Sequence, residues 1–272
     1  MRAAAAKPTA VLQKPADNWW DQAFTELLLD LLPEAPRQLL LLGRGLAAIS
    51  KTLLPHLPDT QVSGFSDRDV EQSEAELAKL PLSQRVSLNY LDDNQLDLPA
   101  ESHDSALCLL FLCESNDPQR LLAQVSSALQ PRATAVFVEP DNLGQRFYFD
   151  GALEQFNELF NRLCRKARVA LQPTDIAIGP QVPKTLLGQG FTAVRFRLHM
   201  IHSGHGETAR AFFGRLQRLC TTTAERANLP ADCDELVACQ QEVNRLLYAG
   251  MPKRIGHCCH AVPVFAVTAT RP

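Results

Sequence analysis

Residues 39–42 are four consecutive leucines, and the run stops at Gly43-Arg44-Gly45. A strand that is apolar at every position has no face left for water, so it must be covered on both sides. The run therefore predicts an inner strand of a parallel sheet, and the residues after it agree. Leu46, Ile49, Leu53 and Leu54 recur at helical spacing, and Pro55 closes that segment. Gln61 to Phe65 reads as a second strand, residues 67–80 as a polar helix, and Val86 to Tyr90 as a third strand. Ser105 to Leu112 is a strongly apolar fourth strand. Leu121, Leu122, Val125 and Leu129 mark a helix ended by Pro131, and Thr134 to Val138 is a fifth strand. Strands that alternate with helices pair in parallel through right-handed crossovers, which predicts an α/β, doubly wound sheet.

The pattern loosens beyond residue 150. Phe156, Leu159, Phe160 and Leu163 predict a helix, and Phe191 to Met200 alternates like a strand. Two helices follow, one about Phe212, Phe213, Leu216 and Leu219, the other about Leu236, Val237, Val243, Leu246 and Leu247. Val262 to Thr268 closes the chain as a strand. The N-terminal part divides into a loose tail and a helix carrying Phe24, Leu27, Leu28 and Leu31, with Asp17 or Asn18 as its cap and Pro33 and Pro36 as its end. The expected organisation is a tail and helix over residues 1–36 and one domain over residues 37–272. Residues 206–250 are then a helical insertion before the last strand.

With 46% hydrophobic and 21% charged residues in 272, the chain can bury a sizeable core. Its net charge of -3 argues against a broad electrostatic grip on nucleic acid. No run approaches the roughly 18 apolar residues of a membrane-spanning helix. The opening Met1-Arg2-Ala3-Ala4-Ala5-Ala6-Lys7-Pro8 lacks the apolar stretch of a secretory signal, so the expected location is cytoplasmic. Eight cysteines in this length do not make a disulfide framework. Cys108 and Cys113 read as core residues.

The order of motifs is similar to that of the class I S-adenosylmethionine-dependent methyltransferases, in their small-molecule branch. It runs Leu-Leu-Leu-Leu-Gly-Arg-Gly-Leu-Ala-Ala (39–48), Val-Ser-Gly-Phe-Ser-Asp (62–67), Leu-Asp-Asp-Asn-Gln-Leu-Asp-Leu-Pro (91–99) and His-Asp-Ser-Ala-Leu-Cys-Leu-Leu (103–110). Ala-Leu-Gln-Pro (128–131), Ala-Val-Phe-Val-Glu-Pro (135–140) and the closing Val-Phe-Ala-Val-Thr-Ala-Thr-Arg-Pro (264–272) complete it. The resemblance covers roughly residues 37–200 and 257–272. It implies a Rossmann-like, mostly parallel, seven-stranded sheet and S-adenosyl-L-methionine as cofactor.

Carried over residue by residue, the resemblance gives Gly43 and Gly45 a place beneath the methionine part of the cofactor. It gives Asp92, or else Asp93, the adenine amino group, and Leu112 and Cys113 the sulfonium end. Three departures make the cofactor motif degenerate. Leu41 stands where the family carries an acid two residues before the first glycine. Ala47 stands at the third glycine. Ser66 stands at the ribose-binding acid, with Asp67 one place later. A carboxylate is the strong anchor for two hydroxyls, because charge-assisted hydrogen bonds are roughly twice as strong as neutral ones.

Methyl transfer needs an acceptor held in line with the methyl and shielded from water, and a base where a hydroxyl or thiol must lose its proton. Glu139-Pro140-Asp141-Asn142 and Tyr148, with its phenylalanine neighbours, are candidates to rim the acceptor pocket, Glu139 as base and Asp141, Asn142 and Tyr148 as substrate contacts. The equal alternative is a turn closed by Pro and Asx side chains. Trp19 and Trp20 either staple the N-terminal helix to the body or cover the acceptor. Of the late histidines, His202 or His205 is a candidate base, regrouped by a bend at Ser203-Gly204. No metal is expected: along a strand His257 and Cys259 point one way, Cys258 and His260 the other, so the four cannot hold one ion. The basic edges Arg162, Arg165, Lys166, Arg168 and Arg210, Arg215, Arg218 read as solvated helix faces. The leading expectation is an enzyme that methylates a small-molecule acceptor, without nucleic-acid or membrane partners. The alternative is a catalytically inactive binding or scaffold subunit, acting as a homodimer or beside a partner subunit.

Overall fold

A computed structural model describes residues 20–67, 70–91, 95–149, 153–203, 208–248 and 258–272. In chain order the elements are α1 (Gln22–Leu31), β1 (Gln38–Gly43), α2 (Leu46–Leu53), β2 (Gln61–Ser66), α3 (Val70–Leu77), β3 (Val86–Tyr90), β4 (His103–Leu109), α4 (Pro118–Ala128), β5 (Leu129–Pro140), β6 (Arg146–Phe149), α5 (Glu154–Ala170), α6 (Val182–Gly188), β7 (Thr192–Ser203), α7 (Ala209–Arg226), α8 (Asp234–Tyr248) and β8 (Cys258–Thr270). They fall into two compact units. The sheet unit holds residues 20–141, 173–201 and 263–272; the helical unit holds residues 142–172 and 202–262. Residues 206–250 thus group with β6 and α5 rather than forming an insertion by themselves.

In the sheet unit the strand order is β3-β2-β1-β4-β5-β8, and β7 pairs with β8. Neighbours from β3 through β5 run parallel, and β8 is antiparallel to β5. Leu39 through Leu42 are all buried, as an inner strand covered on both faces requires. The helices between the strands follow the apolar spacing. α2 buries Leu46, Ile49 and Leu53, and α4 buries Leu121, Leu122 and Val125 with Asp117 as its cap. The fourth strand is shorter than its apolar run: β4 ends at Leu109, and Leu110 turns the chain with φ 52°. The cap of α1 is Asp21, whose carboxylate accepts from the Phe24 N–H at 2.8 Å, not Asp17 or Asn18, which lie outside the described residues.

The helical unit is built on six phenylalanines. Phe147 and Phe149 come from β6, Phe156 and Phe160 from α5, and Phe212 and Phe213 from α7; all are buried together with apolar residues of α8. Helical spacing along α5 puts Phe156, Phe160, Leu163 and Ala167 on its buried face. β6 pairs antiparallel with the first residues of β8. Among the described residues no helix is long and apolar enough to cross a membrane. All eight cysteines are free thiols, and Cys108 and Cys113 are in the core.

Candidate functional site

In an open parallel sheet, ligands bind beyond the carboxyl ends of the strands, where the strand order reverses. Here that place lies at the ends of β1, β2 and β4, because β1 sits between β2 and β4. The glycine turn stands there. A Cβ on Gly43 would lie 2.8 Å from the Leu109 carbonyl oxygen, so only glycine lets β1 leave the sheet this close to β4. Gly45 caps α2 with φ 67° and ψ 39°, a left-handed conformation that glycine adopts at low cost.

Arg44, between these glycines, has no role in the carried-over motif. Its guanidinium sits across the crevice and meets two acids. Nε and Nη2 each lie 3.4 Å from an oxygen of Asp67, at the end of β2. Nη1 donates to Glu114 Oε1 at 2.8 Å, and Nη2 pairs with Glu114 Oε2 in the turn after β4. The three side chains are 15%, 11% and 8% exposed, so water screens them poorly. The available signal was local: a long cation between two glycines at a strand end has few places for its side chain except the crevice.

Ser66 is buried at the last position of β2, and Asp67 follows it. Leu41 and Ala47 are both buried, so neither side chain offers a polar group to the crevice. Asp92 and Asp93 lie outside the described residues, as do Trp19 and His205.

Glu139 does not open onto a pocket. It is fully buried at the end of β5, where Oε1 accepts from the Phe111 N–H at 3.0 Å and the Leu112 N–H at 2.8 Å, and Oε2 from the Cys113 N–H at 3.1 Å. Burial pushes its carboxyl up from 4.5 to about 7 against the downward pull of these donors. The residue expected as a base thus ties down the turn after β4. Leu112 and Cys113 are themselves buried. The turn needs the tie, because Leu110 holds a left-handed conformation that costs a branched side chain roughly 1–2 kcal/mol.

Further along the chain, a loop crosses the end of β5. A Cβ on Gly179 would lie 2.7 Å from the Glu139 carbonyl oxygen and 2.9 Å from that of Pro140. The Thr174 hydroxyl donates to Asn116 Oδ1 at 3.1 Å, beyond the turn after β4. Gly179→Ala is expected to cost roughly 1–3 kcal/mol, the usual range for overpacking, because both obstacles are backbone. Urea unfolding measures it, and an unchanged midpoint would show that the loop stands off β5.

The remaining candidates divide between the units. In the sheet unit, Trp20 donates from Nε1 to Thr25 Oγ1 at 2.8 Å and packs edge-on against Phe24, which commits its indole to α1. The Asp141 N–H donates to the Pro263 carbonyl. In the helical unit, Asn142 is buried, Tyr148 is 55% exposed on β6, and His202 is half-buried near the end of β7. Tyr148 lines an open groove of about 400 Å³ with Arg146, Glu154, Asn157 and Glu158.

No family model matches the sequence, and no curated protein does. The fold, by contrast, has many solved counterparts. The YcgJ protein from Bacillus subtilis is similar at 12% identity and a TM-score of 0.56, over 91% of this chain and 97% of that one. A geranyl diphosphate C-methyltransferase from Streptomyces coelicolor, solved with Mg2+, geranyl diphosphate and S-adenosyl-L-homocysteine, is similar at 11% identity and a TM-score of 0.50, over 92% and 79%. The [4+2]-cyclase SpnF is similar at 16% identity and a TM-score of 0.50, over 90% and 80%. At these identities the likeness establishes the fold alone, a mostly parallel Rossmann-like sheet shared with these proteins.

Proposed function

We propose that this protein binds S-adenosyl-L-methionine at the ends of β1, β2 and β4 and methylates a small molecule. The observation that carries the reading is a juxtaposition: Gly43 and Gly45 end β1 beside Asp67 at the end of β2. Asp67 fits the nucleoside because its carboxylate stands in the crevice itself, one residue beyond the buried Ser66. The turn after β4, held in place by Glu139, stands at the end of the strand next to β1. When bound, the cofactor supplies an electrophilic methyl group.

This chain's residues would then act by position rather than by covalent chemistry. Asp67 would accept from the ribose hydroxyls, Asp92 or Asp93 would accept from the adenine amino group, and the glycine turn would give the methionine part close access to backbone. Glu139 keeps Phe111, Leu112 and Cys113 in one conformation, so a ligand beside that turn would meet a fixed backbone. The small-molecule class rests on the net charge of -3 and on the acceptor of the Streptomyces coelicolor neighbour.

A second reading has its own observation. Arg44 already engages Asp67, and Leu41 is apolar, which suits a protein that kept the fold and became a binding or scaffold subunit. Thermal unfolding with S-adenosylhomocysteine separates the two. Ligand at a hundred times its dissociation constant is expected to add about 2.7 kcal/mol. Asp92→Ala should reduce the shift. No stabilisation at millimolar ligand refutes the cofactor reading; a stabilised monomer by sedimentation refutes the scaffold one.

A further inference from the structure

We propose that Arg44 is a built-in competitor for the acid that holds the nucleoside, so that the cofactor binds by displacing the guanidinium from Asp67. This rests on the cofactor reading above and adds to it a residue that sets affinity.

The geometry gives the exchange a direction. Both contacts of Arg44 with Asp67 are 3.4 Å long, near the outer limit for a hydrogen bond. Its Nη1 bond to Glu114 Oε1 is shorter, at 2.8 Å. Hydrogen bonds to charged groups strengthen as they shorten, so the Asp67 side is the weaker of the two. When ribose hydroxyls take Asp67, the guanidinium still has Glu114. A buried cation is therefore not left unpaired, which is the usual large cost of breaking such a pair. Glu114 acts as a holding position, and Arg44 shifts its share of pairing between two acids about one side chain apart. The free protein then populates a state in which Asp67 is engaged, and the apparent affinity falls by the fraction of molecules in the open state.

The sign of each substitution follows. Arg44→Gln removes the competitor and should tighten ligand binding roughly three- to tenfold, the scale of a partly buried ion pair. Glu114→Gln removes the holding position, leaves Arg44 to Asp67 alone, and should weaken binding. Asp67→Asn should weaken it most, with or without Arg44. Salt adds an independent readout, because it screens the internal pair while the ligand used carries no net charge.

The experiment is calorimetric titration of S-adenosylhomocysteine into the wild type, Arg44→Gln, Arg44→Lys, Glu114→Gln, Asp67→Asn and Arg44→Gln/Asp67→Asn, each at 50 and 500 mM salt. Tighter binding by Arg44→Gln, weaker binding by Glu114→Gln, and a wild-type affinity that rises with salt while that of Arg44→Gln does not, are expected. Arg44→Lys, which keeps the charge but not the planar fork, should fall between wild type and Arg44→Gln. Equal or weaker binding by Arg44→Gln and Arg44→Lys overturns the competitor role and leaves the cofactor reading standing. Absence of binding heat in every variant overturns the cofactor reading itself.

Discussion

Replacing Glu139 with alanine is expected to lower the unfolding free energy of the sheet unit by about 3 kcal/mol or more. Three buried N–H groups, of Phe111, Leu112 and Cys113, lose their acceptor at once, and each unsatisfied buried donor costs roughly 1–3 kcal/mol. The strained Leu110 loses the contacts that hold its turn. Glu139→Gln keeps the shape and one acceptor oxygen, so it should cost less, but its amide nitrogen meets the Cys113 N–H donor to donor. The pH dependence separates this anchor from a surface acid. The carboxyl is raised from 4.5 to about 7 by burial, so the folded state favours the proton. Its contribution is fully present below pH 4.5 and is lost as pH rises through 7, at up to about 1.4 kcal/mol per pH unit. The urea-unfolding free energy of the wild type minus that of Glu139→Gln should fall with this slope as pH rises from 4.5 to 8. A midpoint unchanged in Glu139→Ala would dispose of the anchor.

The helical unit should respond to pH with the opposite sign, through His260. This imidazole is buried against Phe147, with ring centroids 4.3 Å apart. Arg215 Nη1 lies 3.4 Å from Nδ1, and Gln145 Oε1 lies 2.9 Å from Nε2. Arginine can only donate, so Nδ1 is the acceptor and the proton sits on Nε2, which donates to Gln145. Gln145 in turn donates to the Asn142 carbonyl at 2.6 Å and to Cys164 Sγ at 3.5 Å. A second proton has no acceptor and faces a guanidinium; burial first, then the Arg215 charge, lowers the imidazole from 6.5 to about 3. The unfolded chain therefore takes up a proton that the folded unit refuses. Stability is fully present above pH 6.5 and is lost as pH falls toward 3, again at up to about 1.4 kcal/mol per pH unit. Hydrogen exchange in peptides of α5, α7 and α8 at pH 7.5 and 5, after correction for intrinsic rates, measures it. His260→Gln should flatten the difference and lower stability at pH 7.5. An equal pH response in that variant would remove His260 as the cause.

These two groups also mark the limit of reading chemistry from residue type. A glutamate at the end of the fifth strand invites a role as a base, and a histidine beside two cysteines, His260, invites one as a metal ligand. Each is instead closed inside its own unit, with its polar atoms used on neighbours far away in the chain. Nothing local in Val-Phe-Val-Glu-Pro says that Phe111, Leu112 and Cys113 will present three N–H groups to it. β6 was legible in principle, because Phe147 and Phe149 alternate with exposed residues, but four residues are too few for periodicity to separate a strand from a loop.

The chain's own order of apolar runs, glycines and helical spacings determined the parallel sheet and the position of the crevice at the end of β1. Those features are local: an all-leucine strand must be covered on both faces, and a glycine turn after it must carry the chain close to its neighbour. Only the tertiary structure decided that Arg44 lies across the crevice to Asp67 and Glu114, that Glu139 is an anchor rather than a surface acid, and that α7 and α8 join β6 in a second core. Those outcomes depend on which groups meet across dozens of residues, and on the desolvation of charges that the fold alone imposes.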